Sequence, residues 1–500
     1  MGPRLAYLAV RPYRAYASQV QEWSVPDDLP PRTPRSRRSR HRPRSIRVAG
    51  GGLGAGTRRV VQATEPPTDS IPVWTQPDGV ELTTGRAVVD LATRTGVALM
   101  ATGSSAAEVV SDVLRLTAAY GLQSVHVDVT FSSLTVSYNR GPLADPLTVT
   151  RVVPGTNQDF TRLARIRVLV CDIERDSLEI SDARERLDAV IRAPHPYRRW
   201  VVVSAVAVMA AGVAVNVGGG VFIVLVSMLS AAVVSRLLTR LARADVPPFF
   251  AQALGAAIPA LFATAVGLSQ QWVYIAGLLP SLVVASGIVV LLAGLSVVAA
   301  AQDAIEGFYV TAAARVFQVL LLTLGIVVGI TVVLAVATRL GIVLAIDSSP
   351  SYVPLATQLV AVAVIAAGFA VSSYVGPRSM VLAAAAAIAG WVVNQVLVAT
   401  GSSPSFSAAV AALVIGFVIQ LMARRLNVSA LASTTASIVP LLPGRATYEG
   451  IYQIVSGPAG SGLYQGLGTL LGAAGIGIGL AAGVTLGTYL AGLLPGQPAE

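Results

Sequence analysis

The chain has 500 residues, 54% hydrophobic and only 12% charged, with a formal net charge of +10. That balance is too apolar for a soluble protein of this length. A single cysteine, Cys171, excludes an internal disulfide, and three His beside it offer no metal-spaced set, so neither metal nor cofactor is expected.

Residues 1–80 are rich in Pro, Arg, Ser and Gly without a sustained period, and read as a disordered tail. Every basic residue in the chain is Arg, and eight of them fall between Arg32 and Arg47. Such a tail on a membrane protein suits anionic lipid headgroups better than nucleic acid, each Arg adding about 1 kcal/mol near the surface. A solvated tail without a specific partner explains it equally well. The apolar run in Met1–Val10 is too short for the core of a signal peptide.

Residues 81–198 read as a small cytoplasmic α/β domain. Val88, Leu91, Ala92, Thr95, Leu99 and Met100 recur at helical spacing, and Ser105 with Glu108 has the form of a capping box opening a second helix. Val125, Val127 and Val129 alternate with His126, Asp128 and Thr130, the period of a half-buried strand. Two further strands are predicted at Leu134–Tyr138 and Leu147–Val153, then helices near Asp159–Cys171 and Glu179–Ile191. Ser104 and Ser105 with His126 and Asp128 allow a hydrolase site to be imagined. No G-x-S-x-G elbow is present, and polar residues on an exposed strand face account for the pair.

Charge is segregated: 47 of the 62 charged residues precede Trp200. Uncharged stretches run through Trp200–Ser235, Val246–Gln302, Val316–Thr338, Ser348–Pro377, Ser379–Ala423 and Gly450–Ala499. A hydrocarbon core of about 30 Å needs roughly 20 apolar residues as a helix, so each holds one or two crossings. Ten spans are predicted, near 200–217, 219–237, 250–268, 274–299, 315–338, 353–374, 379–398, 405–422, 428–443 and 463–490. Arg198, Arg199, Arg236, Arg240, Arg243, Arg315, Arg378, Arg424 and Arg425 then share one side, and only Arg339 and Arg445 take the other. The positive-inside rule makes the shared side, with both termini, cytoplasmic.

Ten spans divide into halves of five, residues 199–345 and 346–500, and an odd number per half makes any repeat inverted. Phe317-Gln318 with Gly325 parallels Tyr464-Gln465 with Gly472. The fourth span of each half carries proline: Pro280 before Ser281, and Pro440 with Pro443 before Gly444. Proline frees a backbone carbonyl, and breaks at corresponding places in two halves point to a transport site; a plain kink is the alternative. Gly475, Gly479, Gly483 and Gly487 recur every four residues, as do Gly325 and Gly329, and form smooth faces for helix packing. Polar residues are costly in lipid. Asp303 and Glu306, with Arg315 close by, and Arg445 with Glu449 are read as equivalent connections of the two halves. Asn394 and Gln395 interrupt the seventh span, whereas Asn216, Gln358 and Gln420 lie nearer helix ends and read as structural.

The head motif Gly-Val-Ala-Leu-Met-Ala-Thr-Gly-Ser-Ser ending at Ser105, with Tyr120-Gly121-Leu122, resembles the cytoplasmic part of the threonine/serine exporter family. Ala285–Leu295, Gln302-Asp303-Ala304 and Val310–Arg315 resemble the end of its first membrane half. Ala423-Arg424-Arg425 and Pro440–Gly444, with Tyr448, Gly450 and Tyr452, resemble its second. The likeness covers roughly residues 81 to 495 and leaves the Arg-rich tail outside. It implies a multi-pass protein of the bacterial inner membrane, not an enzyme, that exports threonine and serine in exchange for protons. A helix start near Ser281 or Gly444 would receive the substrate carboxylate, and Asp303 or Glu449 would carry the proton. The rivals are a dicarboxylate exporter of the same architecture, which an Arg in the cavity would favour, and a membrane-tethered hydrolase using the head.

Cysteines placed at Ser269, Ser348, Ser402 and Ser461 are expected to react with an impermeant thiol reagent from outside, while Cys171 does not. Labelling of Cys171 with protection of the other four reverses the orientation.

Overall fold

The structure, a computed structural model, describes residues 80–494 except 142–143, 154, 177, 270–278, 292–293, 340, 342–352, 427 and 457–460. The Arg-rich tail expected over residues 1–80 and the start of the expected fourth span therefore lie outside the described residues, Val80 alone excepted.

The first described elements are helices α1 (Leu82–Ala101) and α2 (Ala106–Ala119). The capping box forms as the residues require: Ser105 Oγ accepts from Glu108 N–H, and Glu108 Oε2 accepts from Ser105 N–H. Strands β1 (Val125–Thr130), β2 (Ser133–Tyr138) and β3 (Leu147–Val152) follow as an antiparallel meander in the order β1-β2-β3. Val125 and Val129 are buried while His126 and Asp128 face outward, as the alternation dictates. Helices α3 (Phe160–Asp176) and α4 (Ile180–Arg192) close this part around Leu91, Leu99, Leu134, Leu163 and Leu187, all fully buried.

Nearly all the remaining elements are apolar helices: α5 (Arg199–Asn216), α6 (Val221–Arg243), α7 (Pro248–Ser269), α8 (Ser281–Leu291), α9 (Gly294–Ile305), α10 (Tyr309–Arg339), α11 (Leu355–Ser372), α12 (Pro377–Ala399), α13 (Pro404–Leu426), α14 (Ala430–Ile438), a 3-10 turn (Val439–Leu441), α15 (Gly444–Ser456) and α16 (Gly462–Gly492). Eight of them, α5, α6, α7, α10, α11, α12, α13 and α16, are long and apolar enough to cross a bilayer by length and composition. The chain is a polytopic helical membrane protein.

The described part of the expected fourth span is helical, as α8 and α9 on either side of residues 292–293, which lie outside the described residues. The expected ninth span takes a different form: it is α14 with the 3-10 turn, followed by a further helix, α15, where the sequence suggests a connection. Proline at position 440 sits inside the 3-10 turn and Pro443 just before α15. Pro280, by contrast, stands immediately before α8, where its missing N–H removes no helical bond.

The glycine ribbon on α16 meets α13. A Cβ on Gly479 would lie 2.6 Å from Ser405 O, and Cβ atoms on Gly483 and Gly487 would collide with the carbonyls of Ala409 and Leu413. Gly475 borders Ser405 Oγ, at 3.1 Å. Gly325 and Gly329 of α10 meet Phe249 O and Ala253 O of α7 in the same manner. A Cβ on Gly472, which the sequence parallels with Gly325, would meet nothing within 4 Å, whereas one on Gly479, two helical turns on, would meet a carbonyl as one on Gly325 does.

Gly483→Leu should drive α16 from α13 and lower stability by at least about 1–3 kcal/mol. Membrane abundance and detergent melting temperature measure this, and wild-type values for both would refute the packing role.

Candidate functional site

A helix that stops inside a bilayer exposes backbone groups that lipid cannot satisfy, so protein or a polar cavity must surround the break. Here the break lies between Ile438 and Gly444. The 3-10 turn lets Leu442 N–H donate to Val439 O, and Gly444 N–H turns back to Leu442 O at 2.8 Å. Beside it is a cavity of about 350 Å³ walled by α5, α11, α12, the break itself and α16.

Six of the residues singled out by sequence line this cavity together: Asn394, Gln395, Pro440, Pro443, Gly444 and Arg445. Asn216, Gln358 and Trp391 join them. In sequence the first two lie near helix ends and read as structural, and nothing marks Trp391; only the crossing of α5, α11 and α12 reveals the shared wall. Gln358 organises it: its Oε1 accepts from Trp391 Nε1–H at 3.0 Å and from Gln395 Nε2–H at 2.9 Å. Val213, Ile365, Val439, Leu441 and Leu442 supply apolar surface.

Arg445 occupies the first turn of α15, where the helix dipole favours anions. Glu449, one turn on, accepts from its Nε–H at 2.6 Å. Arg445 and the start of α15 thus line the cavity, and Glu449, which is not among the lining residues, neutralises the cation. The cavity lies on the side away from the N-terminal sheet, because Asn216 ends the helix that Arg199 begins beside the head.

Asp303, Glu306 and Arg315 are elsewhere. Asp303, in the last turn of α9, is fully buried, its Oδ2 3.0 Å from Arg315 Nε without hydrogen-bond geometry. Its Oδ1 accepts from Ala106 N–H, the first residue of α2, at 3.5 Å. Nearby, Thr311 Oγ1–H donates to Val129 O at 3.0 Å, so this corner joins β1 and α2 to α9 and α10. A second junction lies at the α11–α12 turn, where Phe160 N–H donates to Ser373 O at 3.2 Å and Tyr197 Oη–H to Val375 O at 3.0 Å. Asp303 thus ends α9 against the head, whereas Glu449 belongs to α15, a helix where the sequence suggests a connection.

Glu306 follows α9. Surrounding protein raises its carboxyl to about 7, Glu108 and Asp303 adding to the rise and Arg315 opposing it. Its surface keeps solvent contact, which places it at the open edge of this carboxylate group. Ser281 begins α8 and is buried, with no place in the cavity wall. In the head, Ser104 Oγ–H donates to Glu108 Oε2 at 2.8 Å and accepts from Arg167 at 3.2 Å, so its neighbours are structural charges rather than the outward-facing His126.

Two family models match the chain: "Putative threonine/serine exporter" over residues 90–337 and "Threonine/Serine exporter, ThrE" over residues 358–486. A "Probable threonine/serine exporter" of Mycobacterium tuberculosis is 33% identical over 414 residues, covering 81% of this chain and 77% of the relative. A "Threonine/serine exporter" of Corynebacterium glutamicum is 33% identical over 441 residues, covering 87% of this chain and 88% of the relative. No solved structure matches. The helical membrane part, the head joined to it and these matches along most of the chain agree: it belongs to the threonine/serine exporter family.

Proposed function

We propose that this protein exports threonine and serine from the cytoplasm, and that the cavity beside the break at Leu442–Gly444 is where the amino acid binds. The observation that carries this reading is the cavity's charge pattern. A zwitterion needs an anion site without a large net field, and Arg445 at the start of α15, neutralised by Glu449, offers that. A dicarboxylate would call for an unneutralised cation. Arg315 is turned to Asp303 outside the cavity, which favours the amino acid over that rival.

The architecture belongs to the same proposal: ten spans in two inverted halves of five, with α8 and α9 in the fourth member of the first half and α14–α15 as the broken fourth member of the second. Reciprocal contacts support it. A Cβ on Gly212 of α5 would meet Ala361 O of α11, and a Cβ on Gly368 of α11 would meet Ala205 O of α5. One interval separates Gly212 from Gly368, Ala205 from Ala361, Phe249 from Ser405 and Ala253 from Ala409. A swap of this kind between antiparallel helices is what a two-fold axis lying in the membrane plane produces. The head and both termini are cytoplasmic in this reading, in a bacterial inner membrane, and the cavity opens toward the outside.

Proton exchange belongs with Glu306. Asp303 and Glu449 are each held by an Arg, whereas Glu306 titrates near neutral pH at a solvent-open edge. Its raised value also has a sign for stability. The folded state holds this proton more tightly than the unfolded chain, so the contribution is present at low pH and lost as pH rises through about 7.

Efflux of preloaded threonine, serine and succinate from cells with and without the gene tests the function; succinate efflux alone would refute it. Arg445→Gln should lower threonine export at least tenfold, the loss of roughly 1.5–3 kcal/mol for a hydrogen bond to a charged group. Glu306→Gln should flatten the pH dependence of export around pH 7 and shrink the fall in melting temperature between pH 6 and pH 8. An unchanged pH profile would remove Glu306 from the proton path.

A further inference from the structure

The proposed export site gives the substrate's carboxylate a partner but leaves its side chain without one. Asn216 closes α5 and lines the cavity with Val213 of the same helix and Val217, the residue that caps it. Its Oδ1 is buried and accepts no hydrogen bond among the described residues. Gln358 and Gln395 on the opposite wall are already engaged, through Trp391 and Val353 O as well as each other. Buried acceptors are nearly always satisfied in proteins, so an unpaired one at a cavity wall marks a place where a ligand brings the donor. The terminal torsion of an Asn side chain is broad, and a modest rotation presents the amide to the cavity.

We propose that Asn216 is the specificity-determining residue that accepts the substrate's side-chain hydroxyl. The β-carbon of threonine carries one hydroxyl and one methyl, and this wall offers one acceptor flanked by two branched apolar side chains. An ammonium has three donors and a full charge, and a wall of two valines with a single amide does not replace its water. Arg445 and the start of α15 hold the carboxylate at the other end. A site that hydrogen-bonds a hydroxyl discriminates strongly against the isostere that lacks it, because the acceptor is then left buried and unpaired. Valine, the isostere of threonine, is therefore rejected through Asn216.

This inference rests on the cavity being the export site, and the test separates the two. Full-length protein in proteoliposomes is assayed with threonine, serine and valine, as wild type, Asn216→Leu, Asn216→Ala and Arg445→Gln. Both Asn216 variants should lose roughly tenfold to hundredfold in threonine and serine kcat/KM while valine holds or rises, so the threonine-to-valine preference collapses. Arg445→Gln should weaken all three substrates together. If Arg445→Gln weakens transport but the preference survives in whichever Asn216 variant accumulates normally, Asn216 does not read the hydroxyl. Wild-type transport of all three in both Arg445→Gln and the Asn216 variants would show that the cavity itself is not the site.

Discussion

Inside hydrocarbon every backbone N–H and C=O must find a partner within the protein, and the interruption between α14 and α15 is where that requirement shapes this molecule. Pro440 and Pro443 prevent one continuous helix, so the chain tightens into a 3-10 turn and restarts at Gly444. Polar groups then gather around the restart: Asn216 from α5, Gln358 from α11, and Trp391, Asn394 and Gln395 from α12. These groups would be costly anywhere else in the membrane. Together they make a wall that can replace water around a small polar molecule.

The close approach of the helices is the other half of the arrangement. Glycines let α16 lie on α13 and α10 lie on α7 with carbonyls against backbone, and Gly212 and Gly368 do so where α5 crosses α11. The crossing of α5 and α11 brings Asn216 and Gln358 to the same cavity. Charge is handled differently at the two ends of the bundle. Toward the head, Asp303 is buried between Arg315 and the start of α2, an anchor for the N-terminal part. Arg445, which lines the cavity, and its partner Glu449 keep more solvent contact.

Much of this was legible in residue order. Segregated charge marked the membrane part, the Ser105–Glu108 pair marked the start of α2, and the Val125–Thr130 alternation marked β1. The four-residue glycine spacing identified the packing face of α16, and the Pro440–Gly444 run identified the break. What stayed hidden depended on register and on crossings. Seven residues return a helix to nearly the same face, so spacing alone could not tell whether Gly472 or Gly479 packs against a carbonyl as Gly325 does. Charges on α15 look like those of a loop, which hid the helix at Gly444–Ser456. Asn216 and Gln358 sit at helix ends in sequence, and only the packing of α5 against α11 turns those ends into a cavity wall.

The central claim is that threonine occupies the cavity at the break, and substrate protection measures occupancy directly. In a Cys171→Ala background, a cysteine in place of Asn394 would react with an impermeant thiol reagent applied from outside. The account predicts that L-threonine and L-serine slow this reaction in a saturable way while succinate leaves it unchanged. A modification rate indifferent to threonine at saturating concentration, in a variant that still exports it, would contradict the account.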